Sequence, residues 1–374
     1  MPNRPSNRAF NFSPGPGALP LPVLEEVQRD LLALPDLGVS VLEISHRSKW
    51  FEGVLASAEE NLRRLLAVPD NYRILFLQGG ASLQFAMVPM NFLPAGATAE
   101  YIVTGSWSEK ALEEAKKLGA ARAAWSGKGE SYIRVPGAGE LSELDPRAAY
   151  VHFTSNETIQ GVEFATEPAA RSTKLICDCS SDFLSRPLEV SRYALLYAGA
   201  QKNAGPAGVT IVIVRDDLLD RVPKNLPAML DYLVFARERS LYNTPPVFAI
   251  YVVDLVTRWL RNAVGGLEQM AALNRRKAKL LYDVIDASNG FYRGHAQKES
   301  RSLMNVTWRF PGPDLENLFL REAAENHLLE LKGHRSIGGV RASLYNAVPL
   351  KAVEALAGFM KEFQARNAPY KQPA

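Results

Sequence analysis

Cysteine is scarce in this chain of 374 residues, which contains only Cys177 and Cys179. The two stand in a C-x-C arrangement inside a strand-like run, with no second cluster of cysteine or histidine nearby. Disulfide frameworks and zinc sites need more of these residues at characteristic spacings. We therefore predict no disulfide and no metal site, and we interpret the two thiols as packing residues.

An excess of charge of one sign and a long apolar run are also lacking. The formal net charge is +3 and the pI is about 8.7, a balance too mild to indicate a nucleic-acid partner. The most apolar late run, residues 247–256, is too short to span a bilayer. Residues 1–17 lack the apolar core of a signal peptide. We predict a cytoplasmic enzyme with an extended N-terminal arm and no membrane partner.

The rest of the composition, 47% hydrophobic and 22% charged, is typical of globular proteins. Between residues 72 and 214, apolar strand-like runs alternate with amphipathic helical segments. This alternation predicts an α/β fold whose mainly parallel sheet is covered by helices on both faces. A smaller α+β domain is predicted to follow. Apolar spacing predicts helices outside the alternating region over residues 22–34, 246–260, 267–285, 314–329 and 349–363.

Lys202 stands between an apolar run and a loop that contains Gly205, Pro206 and Gly208. Burial in such a place disfavours the ammonium form and lowers the pKa of a lysine. An unprotonated amine can attack a carbonyl, and its main chemical use is a Schiff base with substrate or with pyridoxal phosphate. A solvated surface lysine explains the same local pattern, so the context alone leaves both interpretations open.

A Gly79-Gly80 turn joins a predicted strand over residues 72–77 to a helix that is expected to open at Ser82. This arrangement points free backbone amides and the positive end of a helix dipole at an anion, as a phosphate cradle does. An ordinary turn has the same pattern. The spacing matches neither a Walker lysine loop nor a dinucleotide fingerprint.

Polar or aromatic residues follow several of the predicted strands. In open α/β sheets, ligands bind beyond the carboxyl ends of the strands. The residues that qualify for one shared site are Ser82, Trp107, Thr158, Asp178 and Ser180. Trp107 is either partial core or a flat surface for an aromatic cofactor.

With their surroundings, these residues resemble the phosphoserine aminotransferases, class V pyridoxal-phosphate enzymes of the aspartate aminotransferase fold. The resemblance covers nearly the whole chain, through NFSPGP, EISHRS, FLQGGASLQFAMVPMN, TGSWSEKALEEAKK, NETIQGVEF, DCSSDFLSRP, YAGAQKNAGPAGVTIVIV, YNTPP and HRSIGGVRASLYNA. It implies fold type I, with a mainly parallel sheet of the seven-stranded type between helices. It also implies an N-terminal arm over 1–17 that packs with the small domain, a large domain over 18–263 and a small domain over 264–374.

The resemblance assigns roles around the ring of the cofactor, pyridoxal 5'-phosphate. Lys202 is expected to bind the cofactor as a Schiff base and to move the proton between the substrate α-carbon and the cofactor. Asp178 is expected to keep the pyridine nitrogen protonated, because a pyridinium is the better electron sink. Trp107 is expected to stack on the ring and Thr158 to bond the ring hydroxyl.

The resemblance also implies which groups surround the cofactor phosphate: Ala81, Ser82, Ser180, Gln201, Asn243 and Thr244. The last two are expected to reach the site of the neighbouring subunit, so that the active site depends on a homodimer. Some family members carry an arginine in the phosphate turn, where this chain has a Gly-Ala-Ser sequence. The turn of this chain is therefore expected to act through its backbone amides and the serine hydroxyl.

Two His-Arg pairs and one further arginine are implied in substrate binding. An arginine fork matches a carboxylate or a phosphate bidentately. Arg341 is expected to bind the α-carboxylate, while His46-Arg47 and His334-Arg335 surround the substrate phosphate. The first of these pairs is expected to come from the partner subunit.

The reaction implied by the resemblance transfers the amino group of L-glutamate, by a ping-pong route, to 3-phosphohydroxypyruvate, giving O-phospho-L-serine and 2-oxoglutarate. The longer phosphorylated hydroxy-keto acid of vitamin B6 synthesis is a second substrate that the same site admits. Two alternatives stay open: another fold-type I enzyme, such as an alanine-glyoxylate type aminotransferase, or a non-catalytic pyridoxal-phosphate-binding protein. A cysteine desulfurase would need a nucleophilic cysteine on a mobile loop, and the sequence offers none.

Overall fold

The computed structural model describes residues 8–142, 144–168 and 174–368. The outer parts of the predicted arm and of the predicted small domain, residues 1–7 and 369–374, lie outside this range. The helices are α1 Leu21–Asp30, α2 Lys49–Leu66, α3 Gly80–Phe92, α4 Ser106–Leu118, α5 Asp216–Leu219, α6 Tyr232–Arg237, α7 Val247–Trp259, α8 Leu267–Asp286, α9 Pro313–Glu325 and α10 Leu350–Asn367.

The strands comprise one set of seven and several short pairs. They are β1 Phe10–Asn11, β2 Tyr72–Leu77, β3 Thr98–Val103, β4 Ala120–Ser126, β5 Val151–Thr154, β6 Asn156–Glu157, β7 Val162–Glu163, β8 Leu175–Asp178, β9 Leu195–Gly199, β10 Thr210–Arg215, β11 Arg293–Gly294, β12 Asn305–Arg309, β13 Leu328–Leu329 and β14 Val340–Ser343.

The central sheet has seven strands in the order β2-β10-β9-β8-β5-β3-β4. Only β10 runs antiparallel to its neighbours, and the other pairs are parallel. Strands β5, β8 and β9 are buried on both faces, which explains why the sequence shows them as continuous apolar runs. The prediction of a mainly parallel sheet between helices is therefore confirmed.

A second, smaller unit follows α7. Strands β11, β12 and β14 form an antiparallel sheet that packs with α8, α9 and α10 around a core that includes Trp308, Phe319 and Phe363. The N-terminal strand β1 pairs in parallel with β13, and Phe12 is buried in the same core. The residue boundaries given above for the arm and the two domains stay a prediction.

Two helices are shorter than predicted at their C-terminal ends. The predicted helix over 314–329 ends at Glu325, because His327 adopts a left-handed conformation and the next two leucines pair with β1. The predicted helix over 22–34 ends at Asp30, and Leu34 N bonds to Val39 O at 2.8 Å in a turn. In both places the apolar spacing continues beyond the helix, because the apolar residues are buried by a strand or a turn instead.

Among the described residues, no helix combines the length and the apolar character that crossing a membrane would require.

Candidate active site

The residues predicted to hold the cofactor within one chain come together at the carboxyl edge of the central sheet. Strands β2, β3, β5, β8 and β9 all run in the same direction, so their carboxyl ends share this edge. The ends of these strands and the turns after them carry Ala81, Ser82, Trp107, Thr158, Asp178, Ser180, Gln201 and Lys202.

Lys202 follows β9 and is partly buried. Its Nζ donates a hydrogen bond of 2.7 Å to Thr158 Oγ1 and lies 5.6 Å from the centroid of the Trp107 ring. Burial lowers the pKa of Lys202, while the negative charges of Asp178 and Glu157 oppose this effect. The direction of the pKa shift favours the unprotonated amine that covalent chemistry requires.

The turn that carries Lys202 is held by hydrogen bonds from distant parts of the chain. The arm contributes the amide of Gly17, which donates to Gln201 O at 2.7 Å. The loop after β14 contributes the amide of Asn346, which donates to Asn203 Oδ1 at 2.9 Å. The residues on both sides of the lysine are therefore fixed, one by the arm and one by the small unit.

Asp178 ends β8 and is buried. Its Oδ1 accepts two hydrogen bonds from Ser180, from the amide at 2.9 Å and from the hydroxyl at 2.6 Å, while Ser180 Oγ accepts from Gly199 N at 3.0 Å. Asp178 Oδ2 has no hydrogen bond from the described residues. Burial raises the pKa of Asp178, and the nearby Lys202 counteracts this. One carboxylate oxygen is thus held in place while the other is available to a ligand.

The hydroxyl of Ser180 lies beside the carboxylate of Asp178. Its hydroxyl proton is directed at Asp178, so in this chain it acts on the carboxylate that is expected to meet the ring nitrogen. A contribution of Ser180 to the phosphate surroundings stays a prediction.

The turn before α3 has the features of a phosphate cradle. Gly79 and Gly80 have φ angles of 91° and 65°, in the left-handed region that favours glycine. Helix α3 begins at Gly80, two residues earlier than predicted, with no side-chain cap and no acidic residue in its first turn. The amides of Ala81 and Ser82 have no backbone acceptor among the described residues. These free donors at a helix N-terminus match the chemistry of a phosphate.

Asn243 and Thr244 lie beside this turn within the same chain. Asn243 Nδ2 is 3.4 Å from Gln78 Oε1, and Gln78 Nε2 donates to Thr244 O at 3.3 Å. The two residues are therefore close to the phosphate turn of their own chain, and their expected role in a neighbouring subunit stays a prediction.

Arg341 lies on β14 and is buried. Its NH1 donates to Thr158 O at 3.2 Å, and its Nε has no partner among the described residues. Burial lowers the pKa of Arg341, although a guanidinium remains charged at neutral pH. A buried cation with an unused donor, anchored on the residue that bonds Lys202, is suited to a carboxylate.

His334 and Arg335 lie in the loop before β14. Burial lowers the pKa of His334, and the positive charges of Arg341, Lys110 and Arg335 lower it further. These three cations are close enough to act on the imidazole. None of them forms an ion pair with a carboxylate of the described residues. A group of unpaired cations favours an anionic ligand.

Within one chain, no hydrogen bond or ion pair of the described residues joins His46 or Arg47 to the cations near His334. Both residues precede α2, where Arg47 is exposed and its amide bonds to Ser45 Oγ at 3.2 Å. Within the described part of one chain, no hydrogen bond links either residue to Lys202 or Arg341. Their expected contribution to a partner subunit therefore stays a prediction.

Sequence reasoning missed two residues that meet Trp107. Lys110 Nζ lies 4.4 Å from the centroid of the indole, one helical turn after Trp107 in α4, and the i,i+3 spacing could have indicated this. Glu157 accepts a hydrogen bond of 3.0 Å from the Trp107 amide. No local signal identifies Glu157, since its contact spans two separate segments of the chain.

The donor set fits the pyridoxal phosphate that the sequence implies. The site offers free amides for a phosphate, the second oxygen of a buried carboxylate for a ring nitrogen, an indole for a ring face and an amine for a carbonyl. These groups belong to Ala81, Ser82, Asp178, Trp107 and Lys202. Thr158 Oγ1 accepts the hydrogen bond of the Lys202 amine, and its expected bond to a ring hydroxyl stays a prediction.

Comparison with known proteins gives concordant results. The family model for aminotransferase class-V matches residues 9–356. The phosphoserine aminotransferase of Geobacillus kaustophilus is 55% identical over 361 residues, covering 96% of this chain and 99% of the relative. That of Desulfatibacillum aliphaticivorans is 52% identical over 362 residues, with the same coverage. The solved phosphoserine aminotransferase from Bacillus circulans subsp. alkalophilus superimposes with a TM-score of 0.94 at 50% identity, covering 97% of this chain and 100% of that one.

These matches extend through the large unit and the small unit, so the predicted fold type I is confirmed. The chain belongs to the aminotransferase class-V family.

Proposed function

We propose that this protein is a pyridoxal-phosphate-dependent phosphoserine aminotransferase, which transfers the amino group of L-glutamate to 3-phosphohydroxypyruvate and releases O-phospho-L-serine and 2-oxoglutarate. One structural observation carries the proposal: Lys202, Asp178 and Trp107 meet at the sheet edge, next to unpaired cations. Relatives of that name at 52% and 55% identity over nearly the whole chain support the same reaction.

When bound, pyridoxal phosphate supplies an electron sink for the negative charge left at the substrate α-carbon. The amine of Lys202 binds the cofactor and then holds or releases the proton that moves at the α-carbon. Asp178 would hold the ring nitrogen in its protonated form, and the amides of Ala81 and Ser82 would bind the phosphate. The hydroxyl of Thr158 orients the Lys202 amine.

The cations account for the choice of substrates. L-glutamate and 3-phosphohydroxypyruvate share a carboxylate next to the reacting carbon, which Arg341 binds, and each carries a second anionic group at the other end. His334 and Arg335 attract that second group, whether carboxylate or phosphate. A site with this much unpaired positive charge suits a dianionic substrate better than it suits alanine or glyoxylate.

The absorption spectrum of the purified protein tests the reaction. We expect the visible band of the covalently bound cofactor to disappear on addition of L-glutamate and to return with 3-phosphohydroxypyruvate, but not with pyruvate or glyoxylate at the same concentration. This result would show that both half-reactions occur and that the oxo-acid acceptor needs its phosphate group. Equal recovery with pyruvate would contradict the proposed substrate, and no band after added pyridoxal phosphate would contradict the cofactor.

The protein is proposed to act as a homodimer with shared active sites. The segment before His46 exposes Leu32, Leu37, Val39 and Leu42, with Leu32 87% exposed. Contiguous exposed apolar side chains are typical of a protein interface. Burial of this segment against a second copy would carry the nearby His46 and Arg47 towards the cations of the partner's site.

Mixing two inactive variants tests the shared site. In a dimer formed from Lys202→Ala and Arg47→Ala chains, one site combines Lys202 with an intact Arg47 only if these residues come from different subunits. After co-expression we expect roughly a quarter of the wild-type activity, since half of the dimers are mixed and each has one intact site. Activity no higher than the average of the two separate variants would show that Arg47 serves its own chain.

A further inference from the structure

Glu157 is a buried carboxylate beside the site that the proposed reaction has not used. It ends β6, immediately before Thr158, and its side chain is fully buried. All of its side-chain hydrogen bonds within the described residues come from the first turn of α4. Oε2 accepts from the Trp107 amide at 3.0 Å, and Oε1 accepts from the Ser108 amide at 2.9 Å and the Ser108 hydroxyl at 2.6 Å.

These contacts make Glu157 the cap of helix α4. The residue before the helix is Gly105, which has no side chain to accept the free amides of the first turn. A Cβ at Gly105 would lie 2.5 Å from Glu157 Cδ, so the carboxylate occupies the space where a local capping side chain would begin. A carboxylate at a helix N-terminus also interacts favourably with the helix dipole. The start of α4 is therefore specified by a residue from a different part of the sheet edge.

The helix start and the lysine are tied to the same short loop. Glu157 bonds the backbone of Trp107, and the next residue, Thr158, bonds Lys202 through its hydroxyl and Arg341 through its carbonyl. A second bridge lies on the same loop: Gln160 Nε2 donates to Ser106 Oγ at 2.8 Å. Loop residues 157–160 therefore set the distance between the indole and the amine.

We propose that Glu157 is a positioning residue of the transamination reaction, whose carboxylate holds the Trp107 indole at its place relative to Lys202. The proposal rests on the proposed function. Loss of one acceptor oxygen would release the first turn of α4, and the indole would no longer present one fixed face to the cofactor ring. The stacking contact would weaken without any loss of the residues that perform the chemistry.

The charge of Glu157 has a second, supporting effect. Lys202 is faced by the negative charges of Asp178, Glu157 and Asp182 and by the positive charge of Arg341. The attraction of Glu157 raises the pKa of Lys202 against the opposing effect of burial. Replacement of the carboxylate by an amide removes this attraction and lowers the pKa of the lysine.

The test uses Glu157→Gln, with Glu113→Gln as the matched control on the exposed side of α4. We expect Glu157→Gln to reduce kcat by roughly tenfold to a hundredfold, since it removes one charge-assisted acceptor, with the KM for L-glutamate within about twofold. The circular dichroism that the protein induces in the visible band of the cofactor should fall in the same variant. Glu113→Gln should leave both quantities unchanged.

A double-mutant cycle with Trp107→Phe distinguishes positioning from a general structural effect. If Glu157 acts through the indole, its replacement should cost much less in the Trp107→Phe background than in the wild type. Additive losses, or an unchanged dichroism signal in Glu157→Gln, would overturn the proposal. Ser108→Ala removes the 2.6 Å contact and leaves the carboxylate in place, so it gives the same cycle if Glu157→Gln does not fold.

The dichroism signal of the bound cofactor does not depend on which oxo acid is the natural acceptor. A failure of the proposed substrate would therefore appear in the wild type as use of an unphosphorylated acceptor. A failure of the positioning role would appear as wild-type dichroism in Glu157→Gln. The two outcomes are separable in one set of preparations.

Discussion

Replacement of Lys202 by alanine is expected to lower turnover by about 10⁴-fold, the upper end of what a positioned acid-base group contributes. The amine is the only group at the sheet edge of the described chain that combines a lowered pKa with a position beside the indole and the Thr158 hydroxyl. In the proposed reaction its loss would remove the covalent attachment of the cofactor and the proton carrier together.

Two measurements separate these losses. Borohydride reduction followed by mass spectrometry should show the mass of the reduced cofactor on the wild-type chain and none on Lys202→Ala. Steady-state turnover should fall in the same preparation. The matched control is Lys174→Ala, since burial also lowers the pKa of Lys174, which lies at the opposite, amino end of β8. Undiminished turnover in Lys202→Ala, or an equal loss in Lys174→Ala, would contradict the assignment.

The central part of this site could be predicted from the sequence because residues that follow different parallel strands lie at the same edge of the sheet. Polar or aromatic residues followed several of the predicted strands, and the parallel strands bring those ends to one edge. Lys202, Asp178, Thr158 and Trp107 could therefore be assigned to one site from the alternating pattern and the family motifs. The resemblance then supplied their chemical roles, which the pattern alone left open.

The remaining features depend on contacts between segments that are far apart in the chain. The cap that Glu157 provides for α4 joins residues 49 apart in the chain, and it arises only when the strand ends come together. The end of α9 is a similar case, since β13 leaves the helical pattern in order to pair with the N-terminal arm. Apolar spacing reports that a residue is buried, but it does not identify the segment that buries it.

The buried lysine of the small unit shows the same limit. In the sequence, Lys277 is one of several basic residues on α8 and has no distinguishing feature. In the structure, its Nζ donates to the carbonyls of Leu344 and Tyr345 at 2.7 and 2.8 Å. Burial lowers the pKa of Lys277 to about 7. These bonds fix the loop whose Asn346 contacts Asn203, the neighbour of Lys202. The position of the turn that carries Lys202 thus depends on a lysine more than 70 residues away, for which the sequence carries no local signal.

Replacement of Asp178 by asparagine is expected to lower kcat by roughly 10² to 10³-fold, the size of effect that follows the loss of one preorganised electrostatic group. In the proposed site the carboxylate would stabilise a protonated ring nitrogen, and an amide of the same shape carries no charge to do so. Ser180 can still donate to the amide oxygen, so the side chain should keep its position. The loss should therefore appear in kcat with little change in the melting temperature.

The same substitution has a defined effect on the lysine. Asp178 attracts the ammonium form and raises the pKa of Lys202, so its neutralisation lowers that pKa. Covalent capture of pyridoxal phosphate by the cofactor-free protein needs the neutral amine, and the pH midpoint of the capture rate should therefore move to lower pH. Asp182→Asn is the matched control, because Asp182 is also buried but has the weakest influence of the three acidic neighbours on Lys202. A midpoint shift in Asp182→Asn as large as that in Asp178→Asn would show that total buried charge, rather than the position of Asp178, controls the amine.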